Sequence, residues 1–167
     1  EVGKPGPDGQ PYIDLDEATY IIGIIGLNEC LKHMIDVELH ESEEALFEGL
    51  RIISFMNLKA QELGEKYGLK VSLEESPAES AARRFAKVDT QRFSPARELV
   101  RGDVDAGDIY YTNSGHLRPD APTDLVTRIK MQSAFHSLID SGAIIHAFVG
   151  EKRPSAGAIR SLVQKTH

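Results

Sequence analysis

The stretch "LKVSLEESPAESAARRF" (Leu69 to Phe85) runs from a short strand pattern directly into the start of a helix. The strand is predicted for "LKVSL", and the helix is expected to continue to about Lys87. Ser76 is predicted to cap this helix, with Pro77 at its first position and Glu79 closing a capping box. A strand that enters a helix through a short turn is a basic unit of α/β proteins.

Helices and short strands alternate along the rest of the chain. Further strands are predicted for "IYYTN" (109–113) and "AIIHAFVG" (143–150), and helices for 42–67, for 123–142 with Thr123 as cap, and for 155–166 with Ser155 as cap. Residues 91–109 are expected to be irregular because Pro95 and Gly102 interrupt them. The alternation predicts one α/β domain over residues 1–167, with parallel strands joined by crossover helices. Residues 1–13 are rich in glycine and proline and are expected to form an exposed arm or loop.

The segment before the first clear helix allows two interpretations. In "DLDEATYIIGIIGLNECLKHMI", Asp14 and Glu17 have capping-box spacing, and the apolar residues partly follow a helical stripe, which favours one buried helix. The run "YIIGIIGL" within it is also compatible with a buried strand, because periodicity does not decide a short apolar run. Residues 20–27 therefore stay open between helix and strand.

Composition excludes several classes of protein. A formal net charge of −7 argues against nucleic acid or an anionic membrane as the main partner, so any phosphate site has to be local. The single cysteine, Cys30, excludes an intrachain disulfide and a multi-cysteine metal site and fits a reducing cytoplasm. No apolar run is long enough for a membrane span. Because the chain begins with Glu1, we expect a piece of a longer protein or one trimmed at its front.

The turn before the 76–87 helix is the first candidate binding site. Free backbone N–H groups and the positive end of the helix dipole would meet there at the carboxyl edge of the sheet, where α/β proteins bind anions. The candidate phosphate-binding residues are Ser76, Pro77, Ala78, Glu79 and Ser80. A capping box alone would explain Ser76, Pro77 and Glu79 without a ligand.

A second candidate pocket follows the "IYYTN" strand. Its residues are Thr112, Asn113, Ser114 and His116. An Asx turn through Asn113 and Gly115 is the alternative explanation.

Three further features are weaker candidates. His33 and His40 could share a helical face, but no third metal ligand stands at a suitable spacing, so no metal site is predicted. His146 fits a core histidine of a strand better than a ligand. "GEKRPSAG" (150–157) is a second candidate anion site.

Three ordered motifs resemble one enzyme family. "IGIIGLNE" (22–29), "SPAESAARRFAKVD" (76–89) and "YYTNSGH" (110–116) are similar in order and spacing to the anaerobic, class III ribonucleoside-triphosphate reductases. These are nucleotide-binding glycyl-radical oxidoreductases that supply deoxyribonucleotides for DNA replication. The resemblance implies a fragment, about half, of a ten-stranded α/β barrel, from the C-terminal half of the catalytic subunit. It implies that Ser76 to Ser80 hold the substrate phosphates.

The resemblance also implies what this segment lacks. It contains no glycyl-radical loop and no cysteine quartet for the family's structural zinc, and Cys30 does not match the family's active-site cysteines, so no catalytic residue and no bound cofactor are assigned. The implied partners are a ribonucleoside triphosphate, the remainder of the barrel, a radical-SAM activase and a second subunit in a homodimer. The alternative is a non-catalytic α/β phosphate-binding or interaction module without the radical machinery.

Overall fold

The computed structural model describes residues 3–147 and 153–166. Its elements, in chain order, are β1 (Thr19–Gly23), α1 (Leu27–Ile35), α2 (Glu43–Tyr67), β2 (Lys70–Glu74), α3 (Glu79–Arg92), α4 (Ala96–Leu99), β3 (Arg101–Asp103), β4 (Asp108–Tyr110), α5 (Leu125–Ser133), a 3-10 turn (His136–Leu138) and α6 (Ala156–Thr166). Within this part of the chain no helix is long and apolar enough to cross a membrane.

A parallel β-α-β unit forms the centre of the fold. β1 pairs with β2 in parallel register, from Thr19 opposite Lys70 to Gly23 opposite Glu74. The crossover between them contains α2, which packs on β2. Ser42, where the sequence predicts this helix to start, caps α2 by accepting a hydrogen bond from the Ala45 N–H. The prediction of an α/β fold with parallel strands is thus confirmed at this sheet.

The segment 19–35 is a strand followed by a helix, and the prediction of one continuous helix is wrong. Gly26 separates the two elements with a φ of 81°, a left-handed conformation that suits glycine. Asp14 and Glu17 lie in a turn before β1, so they form no capping box. β1 is exposed along its whole length, including Tyr20, Ile21 and Ile22. The first part of the apolar run therefore lies at the open edge of the sheet, whereas Ile24 and Leu27 at its end are buried in the core.

Residues 93–110 contain an antiparallel hairpin rather than irregular chain. β3 pairs with β4, and Arg101 lies opposite Tyr110. The predicted strand 109–113 therefore does not lie parallel beside β2, and the expectation of three parallel neighbours is wrong on this point. The hairpin packs on α3 through β4.

The third predicted parallel strand is represented by a single bridge. Gly142 pairs with Glu74 in the parallel sense, and the Ser141 N–H donates to the Leu73 carbonyl at 3.1 Å. Residues 143–147 form no strand, and 148–150 lie outside the described residues. β2 thus has β1 on one side and the turn 141–142 on the other.

The last two helices, α5 and α6, each begin with a side-chain N-cap. The cap of α5 is Asp124 and not the predicted Thr123, because the Asp124 carboxylate accepts from the N–H groups of Val126 and Thr127. Ser155 caps α6, accepting from the Ala158 N–H at 3.2 Å, as predicted.

The hydrophobic core lies between the parallel sheet, α1, α2 and the 3-10 turn. Its fully buried side chains include Leu31, Leu39, Ile53, Leu73 and Phe135. A smaller cluster of Ala86, Val100 and Ile109 lies beneath the β3–β4 hairpin.

Both candidate segments run between these two clusters. Residues 76–80 connect Leu73 of the larger cluster to Ala86 of the smaller one, and residues 112–116 connect Ile109 back to Leu117 of the larger one. The two segments are therefore anchored at each end by buried apolar side chains.

Candidate functional site

The start of α3 differs from its predicted form. The helix begins at Glu79, and its N-cap residue, Ala78, has no side chain that could accept a hydrogen bond. Ser76 lies before the helix, where its carbonyl accepts from the Ala78 N–H at 2.8 Å. The capping box of Ser76 and Glu79 is therefore wrong. The first N–H groups of a helix have no intrahelical acceptor. In α3 no N-cap side chain accepts from them either, among the described residues.

A cavity of about 360 Å³ opens beside this helix start. It is lined by residues from α3, β4, the loop after β4 and α5: Glu79, Ala82, Arg83, Asp108, Tyr110, Tyr111, Thr112, Asn113, His116, Leu117, Pro119, Arg128, Gln132 and His146. The two predicted sites therefore meet at one cavity, through Glu79 on one side and Thr112, Asn113 and His116 on the other. Ser76, Pro77, Ala78, Ser80 and Ser114 are not among the lining residues. Ser114 is completely buried and donates to the Ser76 carbonyl at 3.5 Å, which joins the two segments.

The loop after β4 is closed by its backbone. The His116 N–H donates to the Asn113 carbonyl at 3.1 Å, and Ser114 takes a positive φ of 50°. The Asn113 side-chain oxygen is buried and has no hydrogen-bond partner in the described part of the chain. The Asx-turn interpretation is therefore wrong, because that turn would use the Asn113 side chain.

Glu29 of α1 fixes this loop by hydrogen bonds to Thr112. Its carboxylate accepts from the Thr112 hydroxyl at 2.6 Å and from the Thr112 N–H at 3.0 Å, and it also pairs with Arg101 at 3.1 Å. Arg101 reaches Glu38 with its second arm at 2.6 Å, and Glu38 also binds Arg118. Burial by itself would raise the pKa of Glu38, but Arg101 and its other neighbours lower it overall. This buried network fixes the loop to α1 and β3.

His116 is buried against the cavity. Its Nε2 lies 2.7 Å from the Ile144 carbonyl, so this nitrogen carries the proton and donates. Burial lowers the pKa of His116, although the Ile144 carbonyl and Glu75 act in the opposite direction. The His146 ring contacts His116 edge-on, with centroids 5.4 Å apart, so His146 lies at the cavity and not in a strand.

Sequence reasoning did not single out two residues of α5 that line the cavity. Arg128 and Gln132 are 7% and 2% exposed and stand one helical turn apart. The Arg128 guanidinium donates to four backbone carbonyls in the loop that precedes α5, those of Leu117, Arg118, Pro119 and Ala121. The Gln132 side-chain oxygen is buried without a partner in the described residues. No local sequence signal marks these two residues, because polar residues at helical spacing are typical of an exposed helix face.

The weaker candidates do not form a site. His33 lies exposed on α1 while His40 lies beyond the end of that helix, so they do not share a helical face as expected. No group of three or more potential metal ligands occurs in residues 3–147 and 153–166. Burial raises the pKa of the Cys30 thiol. The stretch 150–157 lies partly outside the described residues, and Ser155 in it serves as the cap of α6.

Comparison with known proteins identifies relatives along most of the chain. The sequence profile of the anaerobic ribonucleoside-triphosphate reductase family matches residues 8–167. The chain is 28% identical over 130 residues to the anaerobic ribonucleoside-triphosphate reductase of Salmonella typhimurium, covering 77% of this chain and 17% of that protein. It is 28% identical over 141 residues to the enzyme of the same name from Enterobacteria phage T4, covering 84% of this chain and 21% of that one.

A solved structure shares the fold. A chain described as anaerobic ribonucleotide reductase superposes with a TM-score of 0.70 at 21% identity, over 91% of this chain and 23% of its own length. The chain thus spans about a fifth of the length of the curated relatives it matches. The family profile covers nearly all of it, including all three of the motifs quoted above. The chain belongs to the anaerobic ribonucleoside-triphosphate reductase family.

Proposed function

We propose that this chain is a segment of the catalytic subunit of an anaerobic ribonucleoside-triphosphate reductase, which reduces ribonucleotides to deoxyribonucleotides by a radical mechanism. In this proposal the segment lines the substrate side of the α/β barrel, and Ser76 to Ser80 hold the substrate phosphates. The remainder of the barrel, a radical-SAM activase and a second subunit complete the system. The glycyl radical and the structural zinc lie outside this segment, and its single cysteine cannot supply a cysteine quartet for the metal.

The observation that carries the phosphate site is the uncapped start of α3. Because Ala78 offers no side-chain acceptor, the N–H groups of Glu79, Ser80 and Ala81 at the positive end of a 14-residue helix are available to an anion. Glu79 brings this helix start to the cavity of about 360 Å³. This volume lies within the range of ordinary small-molecule sites.

The backbone, and not a nearby cation, is the main phosphate-binding element in this proposal. Arg83 is paired with Asp108 at the cavity mouth. Glu79 forms no ion pair among the described residues, so its exposed carboxylate has to turn into solvent when a phosphate binds. The hydroxyl of Ser80, which is exposed on the first turn, supplies a further donor.

Ser80→Ala in the full-length protein tests the phosphate site. A hydrogen bond to a charged group contributes about 1.5–3 kcal/mol, so the KM for the ribonucleoside triphosphate should rise about tenfold or more. The melting temperature should stay nearly unchanged, because the Ser80 side chain does not cap α3 and is exposed. Ser94→Ala, in the exposed turn after α3, is the matched control and should leave both values unchanged. An unchanged KM for Ser80→Ala would show that Ser80 does not hold the substrate phosphates, and a full-length protein that turns over no ribonucleotide would favour the non-catalytic module.

A further inference from the structure

The cavity has a second polar wall, made of two carboxamides. Asn113 on the loop after β4 and Gln132 on α5 both line it, and the side-chain oxygen of each is buried without a hydrogen-bond partner in residues 3–147 and 153–166. An unpaired buried polar atom costs the fold roughly 1–3 kcal/mol, so each such group calls for a partner or a functional role, and a bound ligand supplies both. Gln132 is 2% exposed, which makes its unpaired oxygen the costlier of the two.

The chemistry of this wall does not suit a phosphate. A carboxamide oxygen accepts hydrogen bonds and its nitrogen donates them, whereas an ionised phosphate offers acceptors only. The neighbouring charge of Arg128 is already directed to four backbone carbonyls, which hold the 117–121 loop in place. The two unpaired atoms are carboxamide oxygens, so a group that satisfies them has to supply hydrogen-bond donors, as ribose hydroxyls and the amino or ring N–H groups of a base do.

We propose that Asn113 and Gln132 form a subsite for the uncharged part of the nucleotide, its ribose hydroxyls or the hydrogen-bonding edge of its base. This inference rests on the proposed function, which places the phosphates at the start of α3. The cavity extends from Glu79 and Ala82 of α3 to Arg128 and Gln132 of α5. A nucleotide whose phosphates lie at α3 therefore directs its nucleoside toward α5.

Gln132→Met in the full-length protein tests the subsite, because methionine fills a similar volume without the polar atoms. The melting temperature of the ligand-free protein should stay the same or rise, since an unpaired buried acceptor is removed. The KM for the ribonucleoside triphosphate should rise about tenfold. Gln61→Met is the control, because Gln61 is an exposed glutamine of α2 whose side chain bonds Asn57, and neither value should change much.

Comparison of ATP, CTP, GTP and UTP identifies the group that is bound. An equal rise in KM for all four assigns the subsite to the ribose hydroxyls, and a rise confined to some of them assigns it to the base edge. Asn113→Ala serves as a second variant and should raise the KM in the same pattern.

Inorganic tripolyphosphate separates this inference from the phosphate proposal. Its inhibition constant against the nucleotide should be raised by Ser80→Ala and unchanged by Gln132→Met, because it has no nucleoside. Insensitivity to Ser80→Ala would count against the phosphate site alone. A lower melting temperature with an unchanged KM for Gln132→Met, or an unchanged KM for both Gln132→Met and Asn113→Ala, would overturn the subsite and make Gln132 a structural residue.

Discussion

The carboxylate of Glu29 accepts both the backbone N–H and the hydroxyl of Thr112, at 3.0 and 2.6 Å. This double hydrogen bond joins the "IGIIGLNE" motif to the "YYTNSGH" motif beside the cavity. Both residues are buried, with Glu29 3% and Thr112 4% exposed. Two motifs that lie far apart in sequence thus form one structural unit.

Replacement of Thr112 tests the strength of this unit. Thr112→Val removes the hydroxyl donor and leaves a buried carboxylate oxygen with Arg101 as its remaining donor, so the free energy of unfolding should fall by about 1–3 kcal/mol. Thr90→Val is the control, because the Thr90 hydroxyl donates only to the Lys87 carbonyl of its own helix. Denaturant unfolding of the two variants provides the measurement. Equal losses of unfolding free energy in the two variants would show that the hydrogen bond from Thr112 to Glu29 stabilises the protein no more than the bond of Thr90 within its own helix.

Gly102 in β3 should tolerate no side chain. It has a φ of +90°, and a Cβ there would overlap the Asp108 carbonyl oxygen. Gly102→Ala is therefore expected to destabilise the protein by more than about 3 kcal/mol and to open the hairpin. Gly107→Ala, in the same hairpin with a φ of +70° and open space around it, should cost only about 1 kcal/mol. Similar melting temperatures for the two variants would contradict the hairpin geometry.

The cap of α5 gives a direct comparison of the predicted and observed residues. Asp124→Ala removes the acceptor of two helix N–H groups and should lower the free energy of unfolding by about 0.5–2 kcal/mol. Thr123→Ala should have little effect, because the Thr123 hydroxyl is buried without a partner in the described part of the chain. Thermal unfolding of both variants decides between them, and a larger loss for Thr123→Ala would restore the original prediction.

His116 should make stability depend on pH below neutrality. Burial lowers its pKa in the folded state, so the unfolded chain, with a histidine pKa of about 6.5, binds the proton more readily. The contribution of neutral His116 is fully present above about pH 6.5 and is lost as the pH falls toward the lower pKa of the folded state.

His116→Gln keeps a donor for the Ile144 carbonyl but does not titrate. Between about pH 7.5 and pH 5.5 the wild-type protein should lose more stability than this variant, because the two proteins differ in this one titratable group. Melting temperatures of the wild-type protein and of the variant, measured across that pH range, test this prediction. Parallel curves would show that His116 has an ordinary pKa in the folded protein.

Local sequence signals predicted those elements that depend on local interactions. Ser42 and Ser155 cap their helices through side-chain hydrogen bonds a few residues away, and such bonds are visible in sequence. The strand at residues 70–74 followed from the same local patterns. At residues 20–27 the sequence favoured a helix and left a strand open, because the apolar side chains of β1 belong to an edge and are set by pairing with β2, not by a helical stripe.

Sequence analysis identified segments that meet at the candidate site, but it did not predict the roles of their side chains. Sequence reasoning made Ser76 a helix cap and offered an Asx turn at Asn113 as an alternative to a pocket, yet the carbonyls of both residues, and not their side chains, accept the local hydrogen bonds. The carboxamide of Gln132 joins the site only because α5 lies across the cavity from α3. A contact between distant segments leaves no fixed spacing in the sequence, which is why Gln132 was not found.

The parallel pairing of β1 with β2 also determines the order in which the chain folds. The two strands are separated in sequence by α1 and the 25-residue helix α2, so the sheet closes only after a long loop has been brought together. Helices form within about a microsecond, whereas pairings of high contact order form much later. During synthesis, the apolar edge at Tyr20, Ile21 and Ile22 leaves the ribosome well before its partner strand, so it stays unpaired until β2 has emerged.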